Sequence, residues 1–417
     1  MERKPVHFGY RVVVALVLTS FIPLSLGLSC AGIFYPSLSA YLDVEPGILS
    51  YYTSVLWCAA LITLPFMGNY LNKKDARVCV TAAVVIAIAS FVWLSFTASL
   101  LQFFVAAFAM GISVGMLLFL APSTLINRWF HKRAGFFLGI VMAFTGIGGV
   151  VWSSVGGMLI EQIGWSSTYL IFAALCACTL PATIFMISSH PKDKGILPYG
   201  IDEHNEDGPT NAISLEGIPA KQAFRMPLFY IICIMSLLLN MGMYLYFMIP
   251  SYSATIPIGI EFPLLGATAS SVAMAGQTTS KLILGAVGEK MPQGATLAAM
   301  IIGIVGICLF ICVNSSIAIF YISAFCFGIY YGITNVMMPI FTRLNFGNKD
   351  YARIYSRVSV ITSISNAAAA FIWGTLIDVT GSYLPLFAGV IAMIAISGIF
   401  VILIGVMRKR PQDTRQD

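Results

Sequence analysis

Apolar runs long enough to cross a bilayer recur along almost the whole chain, and that recurrence limits what it can fold into. A hydrocarbon core about 30 Å thick takes roughly 20 apolar residues per helix. Twelve such runs are present, at about 10–38, 48–70, 78–98, 100–125, 135–160, 166–188, 227–250, 263–287, 295–314, 316–341, 356–378 and 382–407. In lipid the backbone must satisfy its own hydrogen bonds, so runs of this length predict helices. The expected fold class is an all-α integral membrane protein with twelve transmembrane helices. Only 10% of the 417 residues are charged and 59% are hydrophobic, whereas about a quarter of a soluble domain is charged.

One connection is long. The stretch from Ser189 to Arg225 contains "HPKDKGILPYGIDEHNEDGPTN", and its polar, Gly- and Pro-bearing composition predicts a cytoplasmic linker over 189–225. It separates an N-terminal six-helix bundle, 1–188, from a C-terminal one, 226–417. The first apolar run is too long for a signal-peptide core and has no small-residue cleavage site after it, so it is expected to remain as an anchor. All nine cysteines sit in apolar segments without a CxxC spacing and read as small buried hydrophobes. The four histidines, His7, His131, His190 and His204, do not cluster. No metal or cofactor is expected.

Lysine and arginine gather on the cytoplasmic side of membrane proteins. With the N-terminus inside, all but one of the 23 basic residues fall in cytoplasmic segments, and none falls in an external loop. Both termini are therefore expected inside, and the formal charge of +6 reflects topology without any need for a nucleic-acid partner. The exception is Lys281. The halves also repeat at a single offset of 217 residues, which carries Gly68 onto Gly285, Lys73 onto Lys290, Gly111 and Gly115 onto Gly328 and Gly332, and Pro122 onto Pro339. It further carries Lys132 onto Lys349, Gly157 onto Gly374, Glu161 onto Asp378 and Gly164 onto Gly381. Parallel six-helix repeats are a transporter architecture.

After the second run the chain reads "GNYLNKKDAR", with Gly68, Asn72, Lys73, Asp75 and Arg77; after the eighth it reads "GAVGEK", with Gly285, Glu289 and Lys290. Glycine lets neighbouring helices approach closely, and the charges would form a cytoplasmic latch between them. These segments resemble the signature of the major facilitator superfamily, although Asn72 stands where an acid is usual and Asp75 where a glycine is. Together with "NRWFHKRAGFFLGI", "HPKDKGILPYG" and the pair Lys281 and Gly285, the chain resembles the monocarboxylate porters and the oxalate/formate antiporter group within it. The resemblance implies two pseudo-symmetric six-helix bundles that rock about a midplane site.

Lys281 lies four residues, about 6 Å, inward of Gly285 and about 12 Å from Glu289. A long lysine side chain so placed can snorkel to the interface, and that is the ordinary alternative to a functional role. Helical spacing puts Gln277, Thr278, Gly285 and Gly288 on the lysine's own face, a polar and small surface suited to a cavity wall. The offset pairs Lys281 with Leu64, so the duplicated architecture does not itself require a cation. None of the 17 acidic residues falls in the interior of a predicted helix, and burial of a charge favours an opposite charge beside it. Lys281 is therefore the candidate ligand for the carboxylate of a small organic anion, as the resemblance also implies.

In the oxalate/formate group helix eleven can carry a second lysine; the aligned position here is Thr362, which favours a monoanion over a compact dianion. Arg357, at the cytoplasmic end of that helix, reads as an interfacial anchor. In proton-coupled monocarboxylate porters an aspartate precedes the cation by four residues; here Gln277 stands there and cannot titrate. Exchange against a counter-anion then competes with proton-linked symport. Tyr331, Asn335, Trp57 and Asn240 are further substrate-contact candidates, each with helix packing or an interfacial aromatic as the alternative. Glu161 and Asp378 read as external helix-end charges.

No GxSxG, HExxH or Walker sequence occurs, and the expectation is a transporter, not an enzyme. The competing readings are a membrane sensor of small anions and a carrier of a neutral or other substrate in which Lys281 only snorkels. The expected setting is a monomer in the cytoplasmic membrane, with lipid, a small organic anion and protons or a counter-anion as partners.

Overall fold

A computed structural model describes residues 7–44, 46–73, 75–201, 217–262, 265–312 and 316–413. Ten helical runs among them are long and apolar enough to cross a membrane. The first four are α1 (Gly9–Leu28), α2 (Pro46–Lys73), α3 (Ala76–Ser95) and α4 (Leu100–Trp129). The next run, Ala134–Phe185, is interrupted at Gly164, whose φ of 81° and ψ of 164° are non-helical and open to glycine without a Cβ clash. It therefore supplies α5 over 134–163 and α6 over 165–185. The later helices are α7 (Pro227–Ser253), α8 (Leu265–Val287), α9 (Pro292–Cys312), α10 (Ile317–Phe346), α11 (Tyr351–Thr380) and α12 (Leu384–Asp413).

Counting both sides of Gly164 and adding α8, the described residues hold twelve long helices on the twelve predicted runs. The helix α8 lies outside the ten most apolar because it carries the run from Gln277 to Lys281. The first run ends earlier than expected, at Leu28. A tight turn over Ala31–Phe34 follows, and then a short helix, Tyr35–Leu42, with Pro36 in its first turn, where a missing N–H is tolerated. Among the described residues there is no β-strand, only isolated bridges between Phe130 and Tyr199 and between Gly217 and Gly347. Four cysteines expected inside, Cys58, Cys178, Cys308 and Cys312, face outward. On a lipid-facing surface a small apolar side chain needs no burial in protein.

The chain divides into two compact units, Met1–Ala220 with Phe346–Val360 and Lys221–Asn345 with Ile361–Asp417. Hydrocarbon tails are as apolar as leucine, so helices in a membrane associate through close packing and hydrogen bonds more than through hydrophobic burial. In the first unit Gly111 of α4 lies against the Leu56 carbonyl and the Ala59 methyl of α2, leaving no room for a Cβ. In the second, Gly328 of α10 lies against the Ala273 carbonyl and Gly276 of α8, again with no room. Leu56 and Ala273, like Gly111 and Gly328, are 217 residues apart. The repeat legible in the sequence is thus a repeated backbone contact.

The end of the first bundle and the described parts of the 189–225 connection are held by hydrogen bonds to the first unit. Trp129 Nε1 donates to the Ser188 carbonyl at 2.9 Å, and His7 Nε2 is 2.9 Å from the Leu197 carbonyl. Residues Pro191–Lys194 form a short turn capped reciprocally by His190 and Asp193. Beyond residues 202–216, which lie outside the described ones, Ile218 N donates to the Phe346 carbonyl at 2.9 Å and Ala220 N to Asp350 Oδ2 at 2.8 Å. At the same end of the first unit, Asp75 caps α3. Its Oδ1 accepts from Arg77 N at 2.9 Å and from Ser189 Oγ at 2.7 Å. Partial burial pushes the Asp75 carboxyl up, but the bonds from Ser189 and the Arg77 N–H, with the charge of Arg77, outweigh it and hold the group below its ordinary range.

The packing predicts that Gly328→Leu lowers stability by about 1–3 kcal/mol or more through overpacking. Gly374→Ala, where a Cβ meets nothing within 4 Å, is expected to be neutral or slightly stabilising; thermal melting of the purified protein in detergent checks both. A depressed carboxylate stabilises the fold above its unfolded value, about 3.9, and loses that contribution as pH falls through the folded value. Asp75→Asn should therefore lie below the parent by a constant offset above about pH 5 and converge with it in acid. Melting curves recorded across that range test this.

Candidate functional site

The helix α8 presents Gln277 and Lys281 one turn apart on one face. Both are buried, 4% and 1% exposed. The Lys281 ammonium donates to Gln277 Oε1 at 3.0 Å. The side chain thus runs back towards the helix N-terminus, away from the nearer end at Val287, which is opposite to the direction a snorkelling lysine takes.

The helix α10 is brought onto this face by Gly332, where it breaks into Ile317–Tyr331 and Ile333–Phe346. A Cβ on Gly332 would stand 2.7 Å from the Ser280 side chain and 3.0 Å from the Gln277 carbonyl. Ser280 Oγ donates to the Ile329 carbonyl at 2.6 Å and pins the two helices. Tyr331 is thereby set beside the Gln277 side chain. Its ring stacks on Tyr246 of α7, with centroids 5.2 Å apart and planes 6° from parallel. Around it, Tyr330 OH donates to the Leu239 carbonyl at 2.7 Å and Thr334 Oγ1 to Met243 Sδ at 2.9 Å, fastening α10 to the part of α7 that is interrupted at Tyr244.

Asn240 and Thr362 meet in a second polar cluster of the same unit. Asn240 Nδ2 donates to the Ser236 carbonyl at 2.7 Å, and Ser236 Oγ and Thr362 Oγ1 are 2.9 Å apart. Asn335, one turn beyond Tyr331, is half-buried. Trp57 belongs to the other unit, where its half-buried ring lies 6.0 Å from that of Phe119. Two residues that sequence reasoning missed are Tyr246 and Ser236. Tyr246 had one signal in the sequence: Pro250, four residues on, cannot donate to its carbonyl, so α7 is weakened there.

The first unit has the same contact without the chemistry. Gly115, 217 residues before Gly332, lies 3.7 Å from both Ala60 and Leu64 by its ideal Cβ, and these are the counterparts of Gln277 and Lys281. An apolar pair occupies that place, and the helices still meet.

The signature residues pair inside each unit. Asn72 Oδ1 accepts from Arg128 Nη2 at 3.3 Å, and the same nitrogen donates to the Leu71 carbonyl at 3.3 Å. The repeat counterpart of Asn72, Glu289, forms an ion pair with Arg343. Gly68 lies against the Ser356 side chain and the Ala352 carbonyl, with no room for a Cβ. Arg77 Nε donates to the Ile187 carbonyl at 3.1 Å, and Asp75 caps α3. Gly285 is buried within α8, Lys290 is exposed, and the side chain of Lys73 lies outside the described residues. Among the described residues no group of histidine, cysteine and acidic side chains could hold a metal.

Comparison with known proteins agrees with this architecture. The chain is 24% identical over 183 residues to human (Homo sapiens) monocarboxylate transporter 6, a match covering 43% of this chain and 36% of that protein. It is 25% identical over 273 residues to the MFS-type transporter pynF of Aspergillus niger, covering 62% of this chain and 57% of that one. The matches therefore span only part of these relatives' length. The crystal structure of the E. coli fucose:proton symporter superposes with a TM-score of 0.70 at 13% identity, over 94% of this chain and 98% of that one, which is a likeness of fold. The family model of the Major Facilitator Superfamily matches residues 17–356, and the chain belongs to that superfamily as a multi-pass membrane protein.

Proposed function

We propose that this protein is a secondary transporter that moves a small organic anion, a monocarboxylate, across the cell membrane by alternating access. The moving parts are two six-helix halves, 1–188 and 226–417, joined by the connection 189–225, with both termini in the cytoplasm. The observation that carries this reading is Lys281, a cation buried on the polar face of α8 with its ammonium held one turn inward on Gln277. A buried ammonium in low dielectric favours a carboxylate and disfavours a cation. A neutral substrate gains nothing comparable from it.

The surroundings support the same reading. Tyr331 and Tyr246 offer hydroxyls and flat apolar rings on one side of the Lys281–Gln277 pair, which suits a carboxylate bearing a small organic body. Thr362 and Asn240 supply neutral polar groups without a second charge, which suits a monoanion. The names of the human and rat relatives, monocarboxylate transporters 6 and 12, point to the same substrate class. Gln277 does not titrate, so this reading favours exchange with a counter-anion over proton-linked symport. Asn72 with Arg128, and Glu289 with Arg343, would fasten helix ends at the cytoplasmic side during the cycle.

Uptake of labelled monocarboxylates into proteoliposomes, with and without trapped counter-anion, tests the proposal. Lys281→Ala is expected to lower transport efficiency by about tenfold to a hundredfold, the loss of one charge-assisted hydrogen bond, while Lys281→Arg retains part of it. Unchanged transport by the Ala variant removes Lys281 from the site. Binding of a carboxylate without any flux would instead make the protein a sensor.

A further inference from the structure

Tyr246 stands at the far end of a line of side chains that begins at the Lys281 ammonium and passes through Gln277 and Tyr331. Two interrupted helices meet there. In α7 the backbone tightens at Tyr244, whose N–H donates to the Met241 carbonyl at 3.3 Å and whose carbonyl accepts from Phe247 N at 3.0 Å. In α10 the break is at Gly332, next to Tyr331. The part of α7 before its break is held by Tyr330 OH on the Leu239 carbonyl and by Trp373 Nε1 on the Met241 carbonyl at 2.9 Å. The part after it is held on α8, where Gly266 lies against Pro250 and Ser253 with no room for a Cβ. With both flanks fastened, the Tyr246 ring has a fixed place. Tightened turns inside a helix often mark functional positions.

The duplicated architecture does not demand these rings. The residues 217 positions earlier are Ser29 for Tyr246 and Val114 for Tyr331, so the first unit has no aromatic pair at the equivalent place. Both tyrosines are only half-buried, whereas Gln277 and Lys281 are 4% and 1% exposed. Aromatic side chains are thus left partly uncovered next to a buried cation. Their planes lie 6° from parallel with centroids 5.2 Å apart, an offset stack that a third flat ring can extend or meet by its edge. We propose that Tyr246 is a specificity-determining residue of the Lys281 site, and that the monocarboxylate held there carries a planar aromatic body. This rests on the reading of Lys281 as the carboxylate's ligand and narrows the substrate to aryl carboxylates.

Benzoate and cyclohexanecarboxylate each carry one carboxylate on a ring of the same carbon number. The saturated ring is no less hydrophobic, so a preference for benzoate reports the aromatic contact and not burial alone. Binding of both, and of acetate, is measured by thermal shift on the full-length protein in detergent. The parent is expected to bind benzoate about threefold to tenfold more tightly than cyclohexanecarboxylate, the worth of one aromatic pair. Tyr246→Phe keeps that ratio, and Tyr246→Leu brings it close to one while acetate binds as before. Tyr230→Leu, which removes an exposed aromatic from the same helix, keeps the parent's ratio. Equal binding of the two ring acids by the parent would overturn the proposal, as would an unchanged ratio in Tyr246→Leu. A parallel loss of all three acids in Tyr246→Leu, with the ratio kept, would assign the ring to the fold and overturn it too. If the acids bind and weaken in Lys281→Ala but benzoate has no advantage, the Lys281 reading stands and this inference falls. If none binds, or Lys281→Ala leaves binding untouched, the Lys281 reading falls and this inference with it.

Discussion

Two contacts between a glycine and a facing carbonyl set the geometry on which the rest of each unit depends. Gly111 against Leu56 joins α2 to α4, and Gly328 against Ala273 joins α8 to α10. In lipid, burying another leucine gains little, because the tails it leaves are equally apolar. Close approach of backbones is what distinguishes one helix pairing from another. Gly332 continues the α8–α10 contact by one turn, and the Ser280 hydroxyl locks it on the Ile329 carbonyl. The placement of Tyr331 beside Gln277 follows from that contact; it is not an independent feature.

Duplication separates what packing needs from what the proposed chemistry needs. Gly115 and Gly332 occupy equivalent places, but the first faces Ala60 and Leu64 while the second faces the helix that carries Gln277 and Lys281. The apolar version shows that the fold is served without a buried amine. The signature segments diverged more mildly. Asn72 accepts a hydrogen bond from Arg128, and its counterpart Glu289 makes an ion pair with Arg343, so each copy meets an arginine, from positions that are not repeat counterparts, and only the second carries the acid.

How much of this was legible depended on whether a feature is local along one helix. Gln277 and Lys281 could be placed on one face by spacing alone, because i and i+4 adjoin on any helix. The repeat register correctly brought equivalent glycines to equivalent contacts. Tyr246 and Ser236 were not legible, because each acquires its partner from another helix: Tyr331 on α10 and Thr362 on α11. In the connection after α6, the backbone pairing was not legible either: Leu197 and Tyr199 bond the first unit through backbone groups. Composition carries little information about backbone pairing.

The amino-acid sequence by itself determined the number of spanning helices, the repeat and the presence of one cation in an otherwise apolar segment. Those follow from segment length, residue spacing and charge, which act locally or along a single helix. Tertiary structure decided where the Lys281 ammonium points. Rotamers of a long side chain reach towards either end of a helix, and the choice rests on what lies at each end. Here Gln277, backed by the α10 contact at Gly332, accepts the ammonium one turn inward.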